Sequence, residues 1–418
     1  MSARDAGMSD SAAAKSSASL PLSALLSQTL VAFTIELDNE FEKRMAESGY
    51  PGAILSQIVW LTVVRFLTRA PVSVRDLARK ALTSPDRMYS MLGCLERWRF
   101  VTLKPAPGGD QTMPMRMHRL AGRILRDGWG SARGIRPDWR VSLTGKGQAA
   151  SETWEPLGEE IERRWERRLG GACFRDLRQT LENVVNQLDS ELPWALIVER
   201  SKAVAGAFPP RAPGSRVRLP LPVLLSQLLL TFAIEFDAQA EANLGLSANI
   251  LRVLSEEPVA EAEIPRRTGA SPETSGLGWE TKPYVVSARD PAAKRGKTVR
   301  LTPRGVKAQR DYFKLVKEIE RDWEVRFGKD IVGELRSTLQ KLFEKGEEDR
   351  ARIALGLIPP PGVVRAGREA PGLGRLQVAA AARKRAREMA RQNEAFVSDP
   401  AGALPHFPLW DINRGFGP

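Results

Sequence analysis

Few side chains in this chain could do chemistry on their own. It has two histidines, His118 and His406, and two cysteines, Cys94 and Cys173. Their spacing assembles no zinc site, and two separated cysteines build no disulfide framework. No Gly-rich phosphate loop, nucleophile elbow or Ser-His-Asp arrangement is legible. Adjacent carboxylates such as Glu159-Glu160 fall on a helical pattern beside arginines, where solvated ion pairs account for them. No enzyme activity, catalytic residue, metal or cofactor is expected. Cys94 reads as a buried structural thiol in preference to a redox sensor. What the chain holds in excess is cations: 63 Lys and Arg against 50 Asp and Glu, a net charge of +13 over 418 residues. That surplus favours a polyanionic partner, nucleic acid ahead of an anionic membrane.

The elements that would position those cations occur twice. Leu20-Pro21-Leu22 opens LPLSALLSQTLVAFTIELD, and Leu219-Pro220-Leu221 opens LPLPVLLSQLLLTFAIEFD. Downstream, Leu143-Thr144 with Gly147 matches Leu301-Thr302 with Gly305, and Ile161, Trp165, Arg168 and Gly170 match Ile319, Trp323, Arg326 and Gly328. A repeat of this length is a duplicated module, not a solenoid unit. The expected organisation is a disordered leader (1–19), module 1 (20–188), a linker (189–218), module 2 (219–344), and a Pro/Gly/Arg-rich tail with a basic helix (345–418). Each module starts with an apolar stripe at three-and-four spacing (Leu22, Leu25, Leu26, Leu30, Phe33 and Leu37 in the first), which predicts an amphipathic helix. Each ends in a helical pair broken at glycine, Gly170-Gly171 or Gly328. The leader has no apolar h-region, and no apolar run approaches the roughly 20 residues of a membrane span.

The middle of module 1 predicts a helix over 53–67 and a short helix from Val72-Ser73-Val74. A capped helix follows, with Ser84 as N-cap and Pro85 in its first turn. Phe100 to Leu103 and Arg140 to Leu143 then predict a two-stranded wing. This is the order of a winged helix-turn-helix. Module 2 repeats it in compressed form, with a third helix starting at Ser271-Pro272-Glu273 and a hairpin whose tip carries Arg289, Lys294, Arg295 and Lys297.

The stretches VSVRDLARKALTSPDRMYSMLGCLERWRFV and KRGKTVRLTPRG, the latter followed by EIERDWEVRFG, resemble MarR-type bacterial transcriptional regulators. The tandem form with a closing LPHFP is similar to long members carrying two such modules. The resemblance implies a mainly α fold with small β-wings and dimerisation through terminal helices, here as an intramolecular pseudo-dimer of two tandem winged helix-turn-helix modules. It also implies a recognition helix in the major groove, and often a small-molecule effector. Two features depart from it: the first wing, 106–138, is long and has its own helical stretch near His118, and the third helix of module 2 is rich in glycine.

The spacing turns Met88, Leu92 and Leu95 inward on the first recognition helix. That leaves Asp86, Arg87, Tyr89, Ser90 and Gly93 for the groove, Gly93 by close approach or by packing. The equivalent exposed positions in module 2 are Glu273, Thr274, Ser275 and Lys282. Wing contacts would come from Arg133 and Arg136 in module 1 and from Arg289, Lys294, Arg295 and Lys297 in module 2. Both modules would engage one duplex at half-sites about 34 Å apart, on an imperfect palindrome. Arg383, Lys384, Arg385, Arg387 and Arg391 would add phosphate contacts or face solvent on a docked tail helix, and the stretch from Pro405 to Trp410 reads as a packing anchor. The expected protein is a cytoplasmic, nucleoid-associated DNA-binding regulator with no membrane partner, acting as a pseudo-dimer or as a further homodimer. The competing readings are an architectural DNA binder with little sequence preference and a protein-interaction scaffold.

Overall fold

The computed structural model describes residues 20–53, 55–106, 135–196, 208–212, 218–269, 281–290, 296–344, 351–358 and 390–408. Over these the protein is mostly helical, with two small antiparallel sheets. The helical stretch expected near His118 and the third helix of module 2 lie outside the described residues. So does the tail helix, except for its end, where residues 390–398 are helical.

The first half runs α1 (Leu22–Glu47), α2 (Gln57–Thr62), β1 (Val72–Ser73), α3 (Val74–Ala81), α4 (Pro85–Arg97), β2 (Val101–Lys104), β3 (Arg140–Leu143), α5 (Gly145–Leu169) and α6 (Gly171–Val185). The second runs α7 (Leu221–Gln239), α8 (Leu244–Asn249), β4 (Val259–Ala260), α9 (Ile264–Thr268), β5 (Val285–Arg289), β6 (Lys297–Leu301), α10 (Pro303–Phe327) and α11 (Lys329–Lys341). The helix expected over 53–67 is shorter: α2 ends at Thr62, and Val64–Phe66 forms a separate 3-10 turn. Each sheet has three strands, not two, in the orders β1-β3-β2 and β4-β6-β5. The extra strands are two residues long, too short to show an alternation.

Matching local devices hold the two halves in shape. Thr144 Oγ1 accepts from Gly147 N at 3.1 Å to start α5, and Thr302 Oγ1 accepts from Gly305 N at 3.0 Å to start α10. Each glycine lies directly against a backbone carbonyl: a Cβ on Gly147 would overlap Phe100 O, and one on Gly305 would overlap Tyr284 O. Asp38 Oδ1 accepts from Gln57 N at 3.2 Å, and Asp237 Oδ1 accepts from Leu244 N at 2.7 Å, so each first helix fastens the start of the next. Phe33 packs on Trp165 with ring centroids 5.3 Å apart, and Phe232 on Trp323 at 5.5 Å.

The first helices are not amphipathic in place. α1 is buried continuously from Leu22 to Glu42, polar residues included, because α5, α7 and α11 all pack on it. α7 is enclosed by α1, α6, α8 and α10. It is long and apolar enough to cross a membrane by length and composition, but 83% of that window is buried in the protein. A helix apolar on every side belongs inside a core, and here each half supplies a wall for the other.

The interface between the halves is reciprocal. Glu162 on α5 accepts from Leu221 N at 2.7 Å, and Arg178 on α6 donates to Leu219 O at 2.5 Å. Glu320 on α10 accepts from Leu22 N at 2.6 Å, and Arg336 on α11 donates to Leu20 O at 2.8 Å. Glu162 binds Arg178 at 2.8 Å, as Glu320 binds Arg336 at 2.6 Å. Each half thus caps the first helix of the other, whose own N-cap residue, Pro21 or Pro220, offers no side-chain cap. Contacts that map i onto j and j onto i are the mark of two-fold pairing.

Candidate nucleic-acid interface

α4 begins as its sequence indicates. Ser84 accepts from Arg87 N at 3.3 Å, and Pro85 fills the first turn. Met88, Met91, Leu92, Gly93, Cys94 and Leu95 are buried. Gly93 is therefore no groove residue: α4 packs on α3 and β2, and five consecutive buried positions enclose its C-terminal half. Asp86 is exposed, whereas Arg87, Tyr89 and Ser90 are half-buried on the N-terminal half. Burial raises the Tyr89 phenol above its ordinary value; Asp86 adds to this, Arg75 opposes it and Asp138 adds a little. The surroundings of Tyr89 are therefore of mixed charge. Cys94 is buried and Cys173 is partly exposed.

Arg136 does not lie on a free wing tip. Arg75 N donates to Pro137 O at 2.8 Å, Val74 N to Trp139 O at 3.0 Å, and Trp139 N to Arg136 O at 3.1 Å. Those bonds fasten the segment before β3 to the start of α3 and leave Arg136 half-buried beside it. Arg133, Thr274, Ser275, Lys294 and Arg295 lie outside the described residues. Lys282 is exposed in the turn before β5, and Arg289 and Lys297 are exposed at the far end of the β5–β6 hairpin.

The structure brings together cations that spacing alone does not pair. Arg289 and Lys297 are direct cross-strand partners in β5–β6, and Lys104 and Arg140 are direct partners at the end of β2–β3. All four are exposed, and none forms an ion pair among the described residues. Arg140 does lie near Asp76, whose carboxyl is held below its ordinary value chiefly by the Ser73 hydroxyl, with Arg79, Lys80 and Arg140 assisting against desolvation. Like charges placed directly opposite one another destabilise a hairpin. Lys104 and Arg140 escaped the sequence reading because their pairing depends on register, which the long intervening segment obscures. Arg75, Arg97 and Arg300 add exposed cations to the same lobes.

Among the described residues, no three His, Cys, Asp or Glu side chains gather in a way that could hold a metal ion. No protein-family model, curated protein or solved structure matches the chain.

Proposed function

We propose that this protein is a sequence-specific, double-stranded DNA-binding regulator. Two winged helix-turn-helix lobes would be held by one shared helical core as an intramolecular pseudo-dimer. The observation that carries the reading is the opposed cation pair at the end of each hairpin, Lys104–Arg140 and Arg289–Lys297. Each is an unfavourable local arrangement that a phosphate backbone would neutralise. The N-terminal half of α4 presents Asp86, Arg87, Tyr89 and Ser90 beside the first hairpin, so bases would be read there while the hairpin cations fix the register. Reciprocal capping supports a fixed relation between the lobes, as paired half-sites require.

An architectural role without much sequence selectivity is the second reading. Its support is the half-burial of Arg87 and Tyr89, which leaves few side chains on α4 for base edges.

Fluorescence anisotropy on duplexes enriched from a random pool, across a salt series, tests both. The regulator reading expects a preference of about a thousandfold over bulk DNA. It also expects the doubly substituted Arg289→Ala/Lys297→Ala protein to lower the slope of log K against log salt by about 2. Equal affinity for all duplexes selects the architectural role. Absence of duplex binding at about 50 mM salt would overturn both.

A further inference from the structure

The segment following each helical core returns as a strap between the two halves. In the first, Leu192 O accepts from Gln227 Nε2 at 3.0 Å, and the Trp194 ring lies 3.8 Å from the Arg65 guanidinium. In the second, Leu404 O accepts from Gln28 Nε2 at 3.0 Å and Pro405 O from Ser27 Oγ at 3.0 Å. Gln28 and Gln227 occupy the same place in the repeat, and so do Leu192-Pro193-Trp194 and Leu404-Pro405-His406 in the straps. Each strap therefore touches the first helix of one half and the lobe of the other.

The arginines correspond too. Arg65 Nε donates to Leu61 O at 2.5 Å and Arg252 Nε to Ala248 O at 2.7 Å, and burial pushes both guanidinium groups down, that of Arg65 to about 10. The first strap lays an indole over its arginine, a favourable cation–π contact. The second sets His406 in the field of its arginine instead.

We infer that the second strap is a proton-sensitive latch, docked between the α1 helix and the lobe of the second half while His406 is neutral and released when it gains a proton. The seat is specific. Asn249 Nδ2 donates to Phe407 O at 2.8 Å and accepts from Phe407 N at 3.1 Å through Oδ1. Leu404, His406 and Phe407 are 1%, 7% and 2% exposed. A Cβ on Gly269, in the turn that ends α9, would come within 2.7 Å of Ala403 O, so the strap lies directly on that turn.

Among the described residues, the charge that acts on the imidazole is that of a cation and not of an acid. The 3-10 turn Leu251–Val253 contributes Arg252, a cation. Arg252 in turn interacts with Tyr312 of α10, which is 1% exposed, has its phenol pushed up to about 12 by burial and has no hydrogen-bond partner for its hydroxyl among the described residues; Glu320, which also acts on that phenol, is already paired with Arg336. The α1 helix offers Ser27 and Gln28 and α8 offers Asn249, all uncharged. On the strap itself, Asp399 is exposed and caps Gly402 N at 3.0 Å. His406 Nδ1 likewise has no partner among the described residues. Burial, with Arg252 in support, holds the His406 ring well below the ordinary 6.5. Docking thus favours the unprotonated ring. It is at full strength above pH 6.5 and weakens as pH falls through the value of the undocked histidine.

Hydrogen exchange of residues 396–407 in the full-length protein, corrected for intrinsic rates, measures the latch. Its docking equilibrium should weaken about tenfold for each pH unit below 6.5. Exchange in α5 and α10 should stay constant, and His406→Phe should remove the pH dependence. With only two histidines in the chain, a His118→Gln protein reports His406 alone by NMR, and this decides the matter should His406→Phe fail to fold. Titration of that ring only as the strap opens supports the latch. A docked ring titrating near 6.5, strap protection unchanged between pH 7.5 and 5.5, or the same loss in His406→Phe would each overturn it.

Discussion

Glu320→Ala should destabilise the half of the molecule to which Glu320 does not belong. Its carboxylate caps Leu22 N at 2.6 Å, 298 residues away in the chain, and pairs with Arg336 at 2.6 Å. Loss of a helix N-cap costs about 1 kcal/mol. The charge-assisted bond to Arg336 adds about 1–2 kcal/mol, taken at the low end because that arginine is 29% exposed. The cap alone, about 1 kcal/mol, corresponds to amide exchange in α1 faster by about fivefold, where exchange reports the opening equilibrium, while the total of about 2–3 kcal/mol is read in global unfolding. Glu320→Gln keeps an oxygen for Leu22 N and should cost about 1 kcal/mol. Hydrogen exchange resolved by helix, alongside urea unfolding, provides the measurement. Acceleration confined to α10, with α1 unchanged, would refute the reciprocal cap, as would a stability change under about 0.5 kcal/mol.

Four further outcomes are expected. Gly147→Ala and Gly305→Ala should each lower the unfolding midpoint, at a cost of about 1–3 kcal/mol, because the added methyl overlaps a backbone carbonyl that the Thr144 or Thr302 amide holds in place. Arg99→Gly should raise it by about 1 kcal/mol, since Arg99 sits at φ 61 just past α4 and its exposed side chain gives up little. The hydrogen bond from Arg44 holds Glu160 below its ordinary 4.5, and Glu40 is held down by Arg164 and Arg44 although burial pushes it up. Their contribution is present above pH 4.5 and lost as pH falls through the lower folded values, so Arg44→Ala should flatten that acid limb in pH-dependent unfolding. A thiol reagent on native protein should label Cys173 and spare Cys94 until the protein unfolds, as mass spectrometry of the labelled peptides would show.

The features legible in the sequence were those whose causes lie a few residues apart. Ser84 announces α4 because its hydroxyl acts on a backbone N–H three residues on. Thr144 and Thr302 cap α5 and α10 in the same way, although in the sequence they stood out only as matching positions of the repeat. The caps on α1 and α7 left no local mark, because Pro21 and Pro220 offer no side chain and the acids come from the opposite half. An apolar stripe could not reveal that Ser27 and Gln28 are buried as well, since the strap that binds their polar atoms comes from the end of the chain. Leu-Pro after each core was the available signal for the straps, yet the first fell within the stretch read as a linker, where Leu192, Ala195 and Leu196 are in fact buried. At the candidate interface, spacing left Gly93 open between the groove and packing because it defines one inward stripe, whereas α4 is enclosed over a wider arc by α3 and β2 and Gly93 is buried.

Joining the two halves in one chain has a consequence that a pair of identical chains could not share. In a homodimer a substitution at the seat of one strap appears at both. Here the strap over Arg65 carries Trp194, an indole with no ionisable group, while the strap beside Arg252 carries the ionisable ring of His406. The capping pairs, by contrast, agree in position and in kind, Glu162–Arg178 and Glu320–Arg336, because each must satisfy the same backbone groups at the start of a first helix. The core must keep its two-fold pairing to bury α1 and α7, whereas the periphery is free of that requirement. A duplex bound by both lobes would therefore meet two unlike surfaces at a spacing set by a symmetric core. Acid would loosen the seat of the second lobe alone, and the half-site it covers should lose protection in a footprint before the half-site of the first.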